Sequence, residues 1–331
     1  MAIDAPLLAN KLESSSDMQA EAQFREAPWD AKRLILKLQL TKQLIENQRK
    51  GIDTSLIVYD ETDKKQIYSH NTDYKHWAAS LSKLFVTQLL LEDLRAGKTT
   101  LDTVVSWDAS DRRAGAGEFD SDTSATSATV RSVLFDMLNR SGNTAVRVIV
   151  NKVLGGAAAV NARYEKDYPE LKVTRLQPVD ENRFLLGYTT PAEVDFILKK
   201  LYVKSDLYSF AVRDALATNI FNDYGPRSQV KDPDTITVID KQGQLNDPEG
   251  NNRHDVGTIE NSKNGHVLRY VLMTTNYEQP AGKVTDKATR SLQDFGKDML
   301  RYQGDRMPKP SEQPRTFQQG APAPENGRVI Y

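Results

Sequence analysis

The 331-residue sequence predicts an α+β fold: one antiparallel sheet built by the two ends of the chain, with flanking helices, and a central all-helical insert. Two observations carry this. A helix pattern and a hairpin pattern come first, a block of helical patterns fills the middle, and strand patterns with a last helix close the chain. Near Asp234 the period also changes, from helical spacing before it to strand-like runs after it. The length suffices for one large or two ordinary domains with a sizeable core.

Residues 1–28 are polar and uneven, with Ser14-Ser15-Ser16, and read as a loosely held leader. A helix is expected from Pro28-Trp29 to Gln48, ended by Gly51. Thr54–Tyr59 and Gln66–Tyr68 flank a polar Asp60–Lys65 loop as a hairpin. A helix over Trp77–Leu91 follows and stops near Gly97. Leu101–Trp107 reads as extended, and Ala109–Ala128, rich in Asp, Ser, Thr, Gly and Ala, as a long surface loop. Helices are expected at 130–138, 145–153, 157–167, 191–202 and 206–218, the fourth announced by Thr190-Pro191. Thr235–Asp240, Asp255–Glu260 and His266–Thr274 read as strands, and 283–302 as the last helix. The rest, with five prolines, reads as a disordered tail. The domain reading is thus a leader at 1–28, a domain at 29–302 and a tail at 303–331. Within the domain, 29–76 and 231–302 form the sheet part and 77–230 the helical part.

The stretch Trp77–Leu91 is apolar on nearly every side, which marks a helix buried all round, yet it holds one ammonium, Lys83. Ser80 stands one turn before it, where i,i+3 side chains share a face. Burial lowers a lysine's pKa, and a neutral amine beside a hydroxyl is a general base, so Ser80 is the candidate nucleophile. The pair alone is also compatible with a helix-start serine and a snorkelling lysine. Ser228-Gln229-Val230-Lys231 repeats the pattern in a polar segment where no chemistry is expected.

Composition narrows the function. Lys+Arg 44 against Asp+Glu 45 leaves a net charge of −1, which gives no general affinity for nucleic acid or anionic membrane and points to a small partner. With no cysteine there is no disulfide, thiolate metal site or cysteine nucleophile. The four histidines lack metal-ligand spacing. No segment is long and apolar enough to span a bilayer, and Met1–Pro6 lacks the basic-then-apolar order of a signal peptide. Read literally, the chain is soluble and not exported.

Three short elements occur in order: Ser80-x-x-Lys83, Ser141-Gly142-Asn143 and Lys241-Gln242-Gly243. Singly, the second could be a helix cap and the third a strand end. Together they resemble the serine β-lactamase and penicillin-binding protein superfamily, most closely the class A β-lactamases, whose elements are Ser-x-x-Lys, Ser-Asp-Asn and Lys-Thr-Gly. Leu94-Arg95-Ala96-Gly97-Lys98, Asn143-Thr144-Ala145 and Thr189-Thr190-Pro191 extend the likeness, which covers roughly residues 30–302.

The resemblance implies a β-lactamase/transpeptidase-like α/β sandwich and a role for each element. Ser80 would attack an activated amide carbonyl and Lys83 would take its proton. Ser141 would relay a proton to the leaving nitrogen, and Asn143 would hold Lys83 and the substrate amide. Lys241 would face a substrate carboxylate from a strand edge, with Arg253 as a second cation and Gly243 leaving room for substrate. The backbone N–H groups of Ser80 and Gln244 would form the oxyanion hole. Departures are visible too. Arg175-Leu176-Gln177-Pro178 stands where the family has Arg-Trp-Glu-Pro, so Gln177 replaces the glutamate that activates the deacylating water. Asp180 and Glu181 are substitutes for that role, against the alternative of exposed loop carboxylates. Gln242 replaces a hydroxyl residue, and Gly142 an aspartate. The resemblance thus implies an acyl-enzyme at Ser80 with a β-lactam, related amide or peptidoglycan-type peptide, and slow deacylation. The alternative is a penicillin-binding or D-alanyl peptidase-type protein, or a binding or sensing domain without turnover. It also implies a monomer, no metal or organic cofactor, and a place in the periplasm or outside the cell, against the literal reading of Met1–Pro6.

Overall fold

The computed structural model describes residues 4–13, 18–178, 184–202, 206–222, 224–247, 250–277 and 287–304. The elements run α1 (Ala5–Glu13), α2 (Met18–Glu26), α3 (Trp29–Arg49), β1 (Ile52–Asp60), β2 (Lys65–His70), β3 (His76–Trp77), α4 (Ser82–Arg95) and β4 (Val104–Ser106). Next come α5 (Glu118–Ser121), β5 (Ser127–Thr129), α6 (Val130–Asn139), α7 (Asn143–Val148), α8 (Ala157–Asp167), β6 (Gln177–Pro178), β7 (Phe184–Leu185) and β8 (Tyr188–Thr189). The chain continues through α9 (Pro191–Tyr202), α10 (Leu207–Ala217), β9 (Ile236–Asp247), β10 (Gly250–Asn261), β11 (Val267–Asn276) and α11 (Lys287–Gln303).

The sheet order is β2-β1-β11-β10-β9, all antiparallel, so the two ends of the chain join in one sheet at β1 and β11, as expected. Alternation sorts the strand residues onto two cores. Leu56, Val58, Tyr270 and Leu272 face α3 and α11, where Leu36, Leu40, Leu292 and Phe295 are buried. Ile57, Ile239, Val256 and Val271 face the other way, into the core of α4, α6 and α9. No single described helix is long and apolar enough to cross a membrane.

Several elements differ from the sequence reading. The supposed leader is largely helical: Ala5, Leu8, Ala9 and Leu12 follow helical spacing and bury against Ala20 and Phe24 of α2 and Ile35 of α3. Burying a side chain such as Leu8 or Phe24 contributes about 1.5–3 kcal/mol, and Arg301 Nε reaches Glu21 at 2.9 Å to tie α2 to α11. The 109–128 segment is not a simple surface loop, because Asp111 and Phe119 are buried and α5 lies within it. Strands β9 and β10 are longer than read, so Lys241-Gln242-Gly243 lies inside a strand rather than at its end. The start of the last predicted helix, the 305–331 tail and the Asp180-Glu181 pair lie outside the described residues.

Candidate active site

Ser80 sits in a 3-10 turn, Ala79–Leu81, that leads into α4, rather than in the helix body. The approach to this turn is pinned from several sides. Trp77 stacks on Tyr188 with ring centroids 4.0 Å apart, and Ala78 N donates to Gly187 O at 2.9 Å. His254 Nε2 lies 2.7 Å from the Trp77 carbonyl, and burial pushes its pKa down to about 4, so the neutral ring donates that hydrogen bond. Ala79 has φ +45° and Ser141 has φ +57°, left-handed conformations that side-chain-bearing residues rarely hold without surrounding support.

Lys83 is fully buried, and its Nζ lies 3.0 Å from Ser80 Oγ, 3.1 Å from Ser141 Oγ and 3.0 Å from Asn143 Oδ1. It also donates to the Ser141 carbonyl. Ser141 Oγ is 2.8 Å from Ser80 Oγ, and Lys241 Nζ donates to Ser141 Oγ at 2.9 Å. The polar atoms form a chain from Lys241 through Ser141 and Ser80 to Lys83. Burial, and then the neighbouring Lys241 ammonium, push the Lys83 pKa far below its ordinary value, while Asp120 and Asp136 oppose the shift. Burial lowers Lys241 to about 8, with Asp240 and Asp255 holding it up. Ser80 therefore has on one side an amine whose charged form burial disfavours, and on the other a hydroxyl bonded to Lys241.

Two carboxylates absent from the sequence reading lie against the Ser141–Asn143 segment. Asp120 accepts from Asn143 N at 3.0 Å, Thr144 N at 2.6 Å and Gly117 N at 2.9 Å. These include two of the N–H groups that a helix start leaves without intrahelical partners. Asp136 accepts from Glu118 N at 2.6 Å, and a Cβ on Gly142 would fall 2.1 Å from Asp136 Oδ2. The place of a residue-142 side chain is thus taken by a carboxylate from α6. Both acids sat in segments whose sequence marks them only as polar loop or helix face.

Burial pushes the Asp136 carboxyl up to about 6 from 3.8, aided by Asp120 and Glu118, against the Glu118 N–H and Arg140. The folded chain thus holds this proton more tightly than the unfolded chain. The stability this contributes is complete below 3.8 and is lost as pH rises through about 6. Asp136→Asn keeps an acceptor for Glu118 N and removes the charge. Its melting temperature is expected to exceed that of the parent at pH 7 and to gain less, or nothing, at pH 4; melting both proteins at both values checks this.

Strand β9 forms the outer edge of the sheet, and that edge runs beside the turn carrying Ser80. Alternation puts Lys241 and Gly243 on one face and Gln242 and Gln244 on the other. Gly243 was expected to leave room for substrate, but a Cβ there would lie 3.2 Å from Leu81 Cγ and 3.3 Å from His254 Cδ2. The missing side chain accommodates the nucleophile's own turn. Arg253 pairs with Gln244 across the sheet, is buried, donates to Asn252 O at 2.8 Å, and is not among the described residues lining the cleft. Gln242 is buried and directs its amide nitrogen to Tyr224 O at 2.8 Å and Asp255 Oδ2 at 3.3 Å. Between this strand and the serines opens a cleft of about 440 Å³, lined by Ser80, Ser141 and Asn143 on one side and Tyr224, Gln242 and Gln244 on the other.

Gln177 lies on β6, paired with Leu185, and is exposed; it is not among the residues lining the cleft. The loop before it is fixed by Glu193, a buried residue the sequence reading passed over. Its carboxylate accepts from Lys172 N, Val173 N and Thr174 N at 2.6–2.9 Å. Glutamate two residues after Thr190-Pro191 reads simply as first-turn helix acidity, so only the fold shows this contact. Among the described residues, no three His, Asp or Glu side chains gather where they could hold a metal ion.

A fold of this layout, with a buried lysine between two serines at the foot of an edge strand, is that of the serine β-lactamases and penicillin-binding proteins. A profile of the Beta-lactamase enzyme family matches residues 36–302, and the chain belongs to that family. Solved structures share the fold at low identity. A β-lactamase from Sphaerobacter thermophilus is 18% identical, with TM-score 0.67, over 81% of this chain and 97% of its own. An ancestral class A β-lactamase is 20% identical, with TM-score 0.66, over 80% and 98%. PBP-A, as a point mutant in an acyl-enzyme complex with penicillin G, is 17% identical, with TM-score 0.66, over 81% and 95%. No curated protein matches the chain.

Proposed function

We propose that this protein is a serine acyl-transfer enzyme that forms an ester at Ser80 with a β-lactam or related amide and releases it slowly. The observation that carries the reading is Ser80 Oγ at 3.0 Å from the wholly buried Lys83 Nζ and 2.8 Å from Ser141 Oγ. Lys83, neutral when substrate arrives, takes the Ser80 proton as Oγ adds to the carbonyl carbon. The backbone N–H groups of Ser80 and Gln244, on the turn and the facing strand edge, stabilise the oxyanion. As the C–N bond breaks, the Ser141 hydroxyl gives its proton to the leaving nitrogen and recovers one from the amines it touches. Asn143 holds Lys83 and the incoming amide. If the family's usual setting applies, this takes place in the periplasm or outside the cell.

Slow release is the second half of the proposal. Hydrolysis of the ester needs a base for water, and no carboxylate is among the described residues lining the cleft. Gln177 is a neutral amide. This favours penicillin-binding behaviour over rapid β-lactam turnover. Intact-protein mass followed over time after addition of a penicillin tests both halves. The expected result is a persistent adduct on the parent and none on Ser80→Ala. An adduct that survives in Ser80→Ala, or rapid turnover by the parent, would overturn the corresponding half.

A further inference from the structure

Two separate elements would supply the oxyanion donors: the Ser80 N–H comes from the 3-10 turn before α4 and the Gln244 N–H from β9. The side chain of His254 reaches both elements. It stands on β10 opposite Gly243, the residue before Gln244, and opposed residues of an antiparallel pair share a face of the sheet. Its ring lies on the side where Gly243 has no side chain, since a Cβ on Gly243 would fall 3.3 Å from His254 Cδ2. From there Nε2 reaches the carbonyl of Trp77, just ahead of the Ser80 turn, at 2.7 Å. A carbonyl only accepts, so Nε2 carries the hydrogen. The ring is held in turn from behind. His76 meets it edge-on, with ring centroids 5.6 Å apart and planes at 71°. His76 is itself fixed by Thr275 Oγ1 at Nδ1 and Ser55 Oγ at Nε2, both at 2.9 Å. Both histidines are buried, so bulk water does not compete for these bonds.

An oxyanion hole works by geometry: its donors must stand about 2.7–3.1 Å from the place the oxygen takes as charge develops on it. Two donors on separate elements keep that spacing only while the elements keep theirs. We propose that His254 is a positioning residue for acylation, setting the gap between the Ser80 and Gln244 N–H groups by bonding the Trp77 carbonyl while its ring lies against Gly243. This rests on the acylation reading above and adds to it a residue that is not among those lining the cleft. In the step concerned, Ser80 Oγ bonds to the carbonyl carbon and its proton passes to Lys83. The carbonyl oxygen then holds the negative charge until the C–N bond breaks. Misplaced donors weaken that state more than the bound ground state, so their cost falls on rate rather than on binding.

The test uses the full chain and benzylpenicillin, with the dissociation constant of the first complex and the rate constant of acylation measured separately. His254→Leu fills the space without a donor. Its acylation rate constant is expected to fall about tenfold, less than the loss that follows outright removal of a hole donor, with the dissociation constant unchanged. His254→Gln keeps a side-chain N–H for the Trp77 carbonyl and is expected to regain most of that rate. Both variants lose the ring and its contact with His76, so both should melt below the parent, whereas a role in packing alone would make rate follow melting temperature. The parent supplies a measurement free of any variant's fold. In isotope-labelled histidine NMR, a slowly exchanging Nε2 proton is expected on the ring whose Cδ2 proton lies against the Gly243 methylene. No adduct on the parent would overturn the acylation reading and this inference with it. An adduct on the parent combined with an unslowed His254→Leu, with a His254→Gln as slow as His254→Leu, with loss of binding instead of rate, or with no protected Nε2 proton would overturn the positioning role alone.

Discussion

Lys83→Met is expected to slow acylation of Ser80 by about a thousandfold, within the range that a positioned general base contributes. Methionine keeps the unbranched shape and fills the same buried volume, so the change isolates the amine. The pH profile gives a sharper readout than the rate. In the parent, acylation is expected to rise with pH through the depressed pKa of Lys83, because only the free amine accepts the Ser80 proton. It is expected to fall again above about 8, where Lys241 loses the charge that backs Ser141. In Lys83→Met the lower limb should vanish and the upper one remain. Stability separates chemistry from misfolding. A lysine whose folded pKa lies below 10.5 leaves the folded chain with fewer protons than the unfolded chain, so its cost to folding is full below the depressed pKa and shrinks as pH rises toward 10.5. Removing Lys83 removes that cost, and the melting temperature of Lys83→Met at pH 7 should be no lower than that of the parent. Loss of activity with a large drop in melting temperature would contradict this account.

The parts of the site legible in the sequence are those written within one turn or one strand. Ser80 and Lys83 stand out because three residues separate them in an otherwise apolar run, and the structure brings them together with Ser141, Asn143 and Lys241. The two-ended sheet was legible because hairpin and strand patterns lie at opposite ends of the chain. What failed depended on a single residue of register or on contacts between distant segments. Strands β9 and β10 run longer than their sequence pattern showed, and they carry Gly243 and Arg253 beside Leu81, His254 and Asn252. Asp120 and Asp136 look like solvated acids until α5 and α6 bring them under Gly142. The α1 stripe of Ala5, Leu8, Ala9 and Leu12 was in plain view, but the polar composition around it outweighed the helical spacing.

Gly142→Ala is expected to cost about 2–3 kcal/mol, the upper part of the range for overpacking a filled site. The backbone does not demand glycine: at φ −53° and ψ 126° any residue is allowed. The obstacle is steric, since the new methyl would lie 2.1 Å from Asp136 Oδ2, 2.9 Å from its Cγ and 3.1 Å from Ala145 Cβ. Retreat is limited, because Asp136 accepts from Glu118 N and a Cβ on Gly117 would fall 2.5 Å from Gly142 Cα. Asp136→Ala in the same chain removes the obstacle at the loss of one hydrogen bond. The double variant should therefore be more stable than Gly142→Ala alone, with a coupling energy of about 1–3 kcal/mol in a denaturation cycle. The catalytic consequence follows from geometry. Gly142 lies between Ser141, at φ +57°, and Asn143, whose N–H is held by Asp120. A methyl that pushes against Asp136 displaces both flanking residues from Lys83, so acylation should fall in Gly142→Ala and recover in part in the double variant. Strict additivity of the two substitutions, in stability and in rate, would mean that the α6 carboxylate does not occupy the place left by the glycine.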